Sequence, residues 1–226
     1  MNYKTICIIL ARGGSKGIPN KNLKKINGVS LVRRAVNSAI ESKIFDQIIV
    51  SSDEKKILRE CSHKLVSLHP RSVKTASDNA TSESALVEVL NYFQIDNGRM
   101  FFVQCTTPLI TSLDYLNIQA LTLENPDNTI ISGYAENIHH WVMHGDEKTI
   151  YPILDSDKLR QPRQGTRSKV FVENGGIYST LISEFLLSKN RFNKNVTGYI
   201  MAKIDSHDID DVADLEIVRT ILRARE

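Results

Sequence analysis

The chain has 226 residues, 41% of them hydrophobic and 24% charged, with a formal net charge of +3. That length supports one sizeable core, and so small a net charge argues against nucleic acid or a membrane surface as partner. No apolar run approaches the roughly 18 residues that cross a bilayer. The first residues lead straight into an apolar segment, so no signal peptide is expected. Cys7, Cys61 and Cys105 are widely spaced, which suits a reducing cytoplasm better than a disulfide framework or zinc site.

Residues 6–10, Ile-Cys-Ile-Ile-Leu, are too few for a helix and rich in β-branched side chains, which predicts a strand buried on both faces. Ala11-Arg12-Gly13-Gly14-Ser15-Lys16-Gly17 follows at once. Glycines allow positive φ and bring backbone N–H groups close to a ligand. Arg12, Lys16 and Lys21 add positive charge, so strand and loop together form a cradle suited to phosphates. Neither the Walker pattern nor GxGxxG is present.

Leu31, Val32, Ala35, Val36, Ala39 and Ile40 recur at helical spacing. A strand is expected over 47–50 and a helix over about 54–64, with Ser51-Ser52-Asp53 between them. This β-α-β-α order predicts a parallel sheet with helices on both faces and ligands beyond the carboxyl ends of its strands. Asp53 suits either a helix cap or a ligand contact. Arg71 then opens a polar stretch that ends in Thr75–Glu83, before a helix carrying Ala85, Leu86, Val89, Leu90 and Phe93 on one face. Its small hydroxyl residues suit capping, or hydrogen bonding to a base or ribose.

A strand over 100–104 leads into Cys105-Thr106-Thr107-Pro108-Leu109. Thr111 or Ser112 caps a helix to about 123, and another strand follows over 129–134. From 135 to 170 the pattern loosens over a span too long for an ordinary loop. His139, His140 and His144 lie there at a spacing that does not favour zinc. Arg160-Gln161-Pro162-Arg163-Gln164 offers two guanidinium forks suited to carboxylate or phosphate. A strand over 199–204 precedes Asp208-Ile209-Asp210, where alternation in extended chain puts two carboxylates on one face. Such hard oxygen ligands suit Mg²⁺; helix capping accounts for Asp210 or Asp211 but not for Asp208. The last helix, 212–225, turns Leu215, Val218, Ile221 and Leu222 inward.

ARGGSKGIPNKNL at 11–23 resembles the opening signature of the acylneuraminate cytidylyltransferases. RSVKTASDNATSESA at 71–85 resembles that family's arginine followed by Ala-x-Asp-x-Ala-x-Ser. Gln104-Cys105-Thr106-Thr107-Pro108-Leu109 is similar to its Gln-x-Thr-Ser-Pro-Leu. Arg163-Gln164, with Asn174-Gly175-Gly176-Ile177-Tyr178, resembles its Arg-Gln and Asn-Gly-x-Tyr motifs. Ser206, Asp208, Asp210 and Asp214 match its closing Ser-x-Asp-Ile-Asp-x-x-x-Asp. The resemblance covers nearly the whole chain, in order.

The resemblance implies a single domain over 1–226, a three-layer α/β/α sandwich with a mainly parallel sheet. It implies a homodimer in which an extension at about 135–170 reaches the partner's active site. The implied substrates are CTP and a nonulosonic (sialic-type) acid, with Mg²⁺ held by Asp208 and Asp210. Arg12, Lys16 and Lys21 then hold the triphosphate on the loop of Leu10, Ala11, Gly13, Gly14 and Ser15. Asn22, Arg71, Ala80 and Ser82 fix the cytidine, while Gln104 and Arg163 face the sugar and the transferred phosphate.

Two positions depart from some sialic acid members: Met143 stands where they place a lysine, and Glu173 where they place an arginine. The loss of both cations leaves N-acetylneuraminate, its deaminated analogue, legionaminic acid and pseudaminic acid open as acceptors. A cytidylyltransferase for the eight-carbon sugar Kdo and a catalytically silent nucleotide-binding regulator are the alternatives.

Overall fold

Runs of β-branched and aromatic residues separated by amphipathic segments fold here into one layered sheet. The computed structural model describes residues 4–15, 17–136, 141–144, 149–152 and 170–225. In chain order the first elements are β1 (Thr5–Leu10), β2 (Lys25–Ile26), β3 (Val29–Ser30), α1 (Leu31–Ser42), β4 (Gln47–Ser52), α2 (Lys55–Glu60) and β5 (Val66–Pro70). Then come α3 (Val73–Ala76), α4 (Ser82–Tyr92), β6 (Arg99–Gln104), α5 (Ser112–Glu124), β7 (Thr129–Glu136), β8 (Trp141–His144) and β9 (Thr149–Pro152). The chain closes with β10 (Val170–Leu181), α6 (Ile182–Ser188), β11 (Val196–Ile200) and α7 (Val212–Arg223).

The main sheet has seven strands in the order β11-β7-β10-β6-β1-β4-β5. Neighbours are parallel except at β10, which runs antiparallel to both β6 and β7. Period-two alternation makes the three layers. Cys7 and Ile9 of β1 pack with residues of α1, α2, α5 and α7, whereas Ile6 and Ile8 pack with α4 and α6. All four side chains are fully buried, as the uninterrupted apolar run requires.

Register then positions the site. Leu10 lies opposite Ser51 of β4 and Gln104 of β6. The carboxyl ends of these three strands are therefore level, and their outgoing loops converge.

The sequence reading placed the longer helices and most strands of the main sheet, and missed β10, β5 and α6 as well as the short β2, β3, α3, β8 and β9. β10 is interrupted between Glu173 and Tyr178, where its register shifts and Gly175 takes φ +69°. Its polar, glycine-bearing middle hides the strand's alternation. β5 and α6 are short and carry weak periodicity. The strand expected over 199–204 lies instead at Val196–Ile200, and Lys203–Ser206 forms a single tight turn. Of the segment 135–170, β8 and β9 pair as an antiparallel hairpin with Trp141, Val142, Met143 and Tyr151 exposed. Arg163 lies outside the described residues.

Gly133 of β7 and Gly198 of β11 leave room for the Phe171 ring. A Cβ on Gly198 would come within 2.6 Å of that ring, and one on Gly133 would also overlap the Val172 carbonyl oxygen. Alanine relieves backbone entropy by up to about 1 kcal/mol, less than the roughly 1–3 kcal/mol of overpacking. Gly133→Ala is therefore expected to lower the urea midpoint of unfolding without changing the slope. An unchanged or raised midpoint would show that Phe171 repacks freely.

Candidate active site

The loop after β1 is fixed from three sides. The Ala11 N–H donates to the Ser51 carbonyl at 3.0 Å, and the Gly13 N–H to Asp53 Oδ1 at 2.9 Å. Asp53 thus holds the glycine loop; the cap of α2 is Glu54, which accepts from the Lys56 N–H at 3.0 Å. Asn22 is buried and donates from Nδ2 to the Arg12 carbonyl at 3.0 Å. Gly13 and Gly17 serve close approach rather than positive φ, while a Cβ on Gly14 would meet open space. A Cβ on Gly13 would lie 2.7 Å from Cβ of Glu54, and one on Gly17 would overlap the Asp210 carbonyl oxygen. The left-handed residue here is Asn20, at φ +55°.

Lys21 closes the arrangement. Its Nζ donates to the Ile209 carbonyl at 2.6 Å and lies 3.4 Å from Asp210 Oδ1. The Ile209 N–H donates to the Thr106 carbonyl at 2.8 Å, and its side chain is fully buried. The glycine loop, the end of β6 and the acidic segment before α7 are thereby joined.

Between them opens a cleft of about 400 Å³. Leu10, Arg12, Ser15, Lys21, Asn22, Arg71, Ala80, Ser82 and Gln104 all line it. Ala11 is buried behind the loop, and neither Gly13 nor Gly14 lines the cleft. Lys16 lies outside the described residues. Arg71 is nearly buried and donates from Nε to Ser51 Oγ at 3.1 Å and from a terminal nitrogen to the Ser51 carbonyl at 3.0 Å. Burial lowers the pKa of its guanidinium, with Asp53 and Glu88 pulling the other way. Across the cleft Arg12 pairs with Asp78 at 2.8 Å. Thr81 caps α4 by accepting from the Ser84 N–H at 3.2 Å, so Ser82 is left on the cleft wall.

The sequence reading did not assign roles to Asp78, Thr75 or Phe102, which also line the cleft. Phe102 stands two residues before Gln104 on the same strand, so period-two alternation was enough to find it. Asp78 and Thr75 lie inside the quoted 71–85 stretch, and nothing local distinguishes a lining side chain there from a cap.

Asp208 opens elsewhere. Ile209 points inward as alternation requires, but Asp210 lines the first cleft and Asp208 a second, of about 310 Å³, with Tyr134, Glu173, Gly175 and Lys203. The two carboxylates thus line neighbouring clefts. Burial raises the Asp208 carboxyl above its ordinary range and Asp210 adds to this, while a hydrogen bond from Thr106 and the charge of Lys21 oppose it. Its Oδ1 is buried without a hydrogen-bond partner. Neither aspartate caps the last helix: Asp211 does so, in a capping box with Asp214. The two clefts meet at Gly175, where a Cβ would lie 3.9 Å from Gln104 Oε1 and 4.0 Å from Asp208 Oδ2. In the second cleft Glu173 accepts a hydrogen bond from the Tyr178 hydroxyl, and Lys203 pairs with Glu136.

A mainly parallel sheet with a basic cleft beyond the carboxyl ends of its strands defines the class, an α/β protein of the nucleotidyltransferase fold. The family model described as cytidylyltransferase matches residues 6–160, and the chain belongs to that family. It is 30% identical over 214 residues to an N-acylneuraminate cytidylyltransferase of Streptococcus agalactiae serotype V, covering 92% of this chain and 50% of that protein. The chain thus spans about half the length of the streptococcal relatives it matches. It is 25% identical over 227 residues to a pseudaminic acid cytidylyltransferase of Campylobacter jejuni, covering 97% of each. Among solved structures, a CMP:2-keto-3-deoxy-manno-octonic acid synthetase complexed with CTP superposes with a TM-score of 0.69. That pair is 16% identical, covering 99% of this chain and all of the other, and shares the fold.

Removing the Lys21 ammonium strands the Ile209 carbonyl in a partly buried site, at a cost of about 1–3 kcal/mol. Lys21→Met is expected to lose that much stability in urea denaturation. Wild-type stability would mean that the segment is held without Lys21.

Proposed function

We propose that the chain transfers CMP from CTP to the anomeric hydroxyl of a nonulosonic acid, releasing pyrophosphate. The observation that carries this reading is the convergence of Arg12, Lys21, Asn22, Arg71, Ala80, Ser82 and Gln104 on one cleft in a chain of the cytidylyltransferase family. They come from three separate stretches of chain: the loop after β1, the stretch from the end of β5 into α4, and the end of β6.

In this reading the anomeric oxygen attacks the α-phosphorus, an O–P bond forms, and the bond to the pyrophosphate breaks. The hydroxyl proton is lost as the oxygen attacks. The chemistry is mostly positioning and charge neutralisation. Arg12 and Lys21, with Lys16, neutralise the triphosphate beside the N–H groups of the glycine loop. Asn22, Arg71, Ala80 and Ser82 orient the cytidine. Gln104 stands where the two clefts meet, between the transferred phosphate and a sugar in the second cleft, with Arg163 reserved for the sugar carboxylate.

Asp208 and Asp210 suit a divalent cation such as Mg²⁺. The orphaned, buried Oδ1 of Asp208 is an oxygen in search of a partner. Among the described residues no cluster of three His, Cys, Asp or Glu side chains forms. Mg²⁺ commonly takes one or two carboxylates and completes its shell with phosphates and water. Such an ion would supply charge neutralisation at the phosphates. The exposed apolar side chains of the β8–β9 hairpin support a dimer built on this extension. A cytoplasmic location follows from this reading, since CTP is an intracellular substrate.

The second cleft bears on the acceptor. Glu173 borders it, and Met143 on β8 is exposed and uncharged. Neither offers a cation to the acceptor. The enzyme is therefore expected to use a nonulosonic acid without strictly requiring the 5-N-acetyl group of N-acetylneuraminate. Pyrophosphate release from CTP across N-acetylneuraminate, its deaminated analogue, a legionaminic and a pseudaminic acid, and Kdo tests both statements. A preference for N-acetylneuraminate above about a hundredfold over all of the others would overturn the acceptor reading, since a pocket that makes no hydrogen bond to the differing group discriminates by no more than about that much. Release with Kdo alone, or with none, would overturn the reaction.

A further inference from the structure

Behind the nucleotide cleft lies a chain of polar side chains that the reaction does not touch. Arg71 Nε donates to Ser51 Oγ at 3.1 Å, and Ser51 Oγ lies 2.9 Å from Nδ1 of His69. Ser51 and His69 are both essentially inaccessible to solvent. His69 Nε2 faces Glu88 Oε1 of α4 at 3.8 Å, beyond hydrogen-bond reach but close enough for its charge to be felt. Glu88 Oε1 accepts from the Ser72 N–H at 2.8 Å, and Oε2 accepts from the Ser72 hydroxyl at 2.8 Å and from the Thr75 hydroxyl. Ser72 caps α3, and Thr75 lies in it and lines the cleft.

One placement of the protons gives the Ser51 hydroxyl both a donor to accept from and an acceptor to donate to. A neutral imidazole has one N–H and one acceptor nitrogen. The Glu88 carboxylate favours the proton on Nε2, which leaves Nδ1 to accept the Ser51 O–H. The lone pairs of that hydroxyl then face the Arg71 Nε–H. Burial lowers the pKa of His69, and Arg71 adds to this while Glu88 opposes it, so the ring is neutral near pH 7. The groups facing it are Glu88 and Tyr92 from α4, with Arg71 and Ser51 at the strand ends; the Tyr92 ring packs edge-on at 4.7 Å.

We propose that Glu88, His69 and Ser51 are positioning residues that aim the Arg71 guanidinium into the nucleotide cleft and fasten the α3 segment, with Thr75, along the same wall. A side chain as long as arginine carries close to 2 kcal/mol of rotamer entropy. Fixing Nε and one terminal nitrogen before the ligand arrives removes most of that from the binding step. The proposal rests on the cleft's being a nucleotide site, and it adds how that site is set.

The test compares two replacements at His69. His69→Asn keeps an oxygen acceptor near the position of Nδ1, whereas His69→Leu removes the acceptor and keeps apolar bulk. The KM for CTP is expected to stay within about threefold of wild type in His69→Asn and to rise about tenfold in His69→Leu, the scale of one lost hydrogen bond. The kcat is expected to change by less than threefold in both. Ser51→Ala, which deletes a single oxygen, should behave like His69→Leu and serves if the leucine variant fails to fold. The ¹⁵N–¹H signal of Arg71 Nε is a second readout, and it needs no turnover. It should be protected from exchange in wild type and His69→Asn and lost in His69→Leu and Ser51→Ala. Protected signals in every variant, or equal KM changes in asparagine and leucine variants, would overturn the proposal. A wild-type chain that showed the expected Arg71 signals but no use of CTP would instead count against the nucleotide reading.

Discussion

The contact on which the rest depends is the ammonium of Lys21 against the backbone carbonyl of Ile209, at 2.6 Å. It ties residues 188 positions apart and fixes the acidic segment against the glycine loop. The loop can accept that segment only because Gly17 carries no side chain where the Asp210 carbonyl passes. Ile209 then plugs into the core and bonds to Thr106 at the end of β6. Three strand ends brought level by register become one site because these contacts hold their loops together.

The two arginines of the cleft are held in different ways. Arg12 is held by Asp78 in a pair whose side chains are 35% and 50% exposed. Such exposed pairs contribute about 0–1 kcal/mol, so Arg12 can turn to a phosphate at small cost. Arg71 is the opposite case: buried, bonded twice to Ser51 and fixed before a ligand arrives. One cation adapts and the other is set, a division that suits a flexible triphosphate and a rigid base.

What the sequence disclosed follows from how local each signal is. β1 was legible because an apolar run buried on both faces has no other reading, and its glycine loop because two charges and three glycines in seven residues are rare in a surface turn. β10 was not legible, because its central residues serve the meeting of the two clefts and so break the alternation that marks a strand. Asp53 was ambiguous in sequence because a cap and a loop anchor use the same chemistry; only the fold brings Gly13 within reach. Asp208 and Asp210 were singled out by their spacing, yet their lining of different clefts depends on the turn at Lys203–Ser206 and on β10. The chain from Glu88 to Arg71 spans β4, β5 and α4, and no local pattern announces it.

The central claim is that this cleft holds CTP with its phosphates on the glycine loop and its base against the 71–82 segment. A crystal structure of the chain soaked with CTP tests it most directly. The account predicts a triphosphate within hydrogen-bond distance of Arg12 and Lys21, and a cytosine beside Arg71, Ala80 and Ser82. A nucleotide bound in the reverse orientation, or outside this cleft, would contradict it.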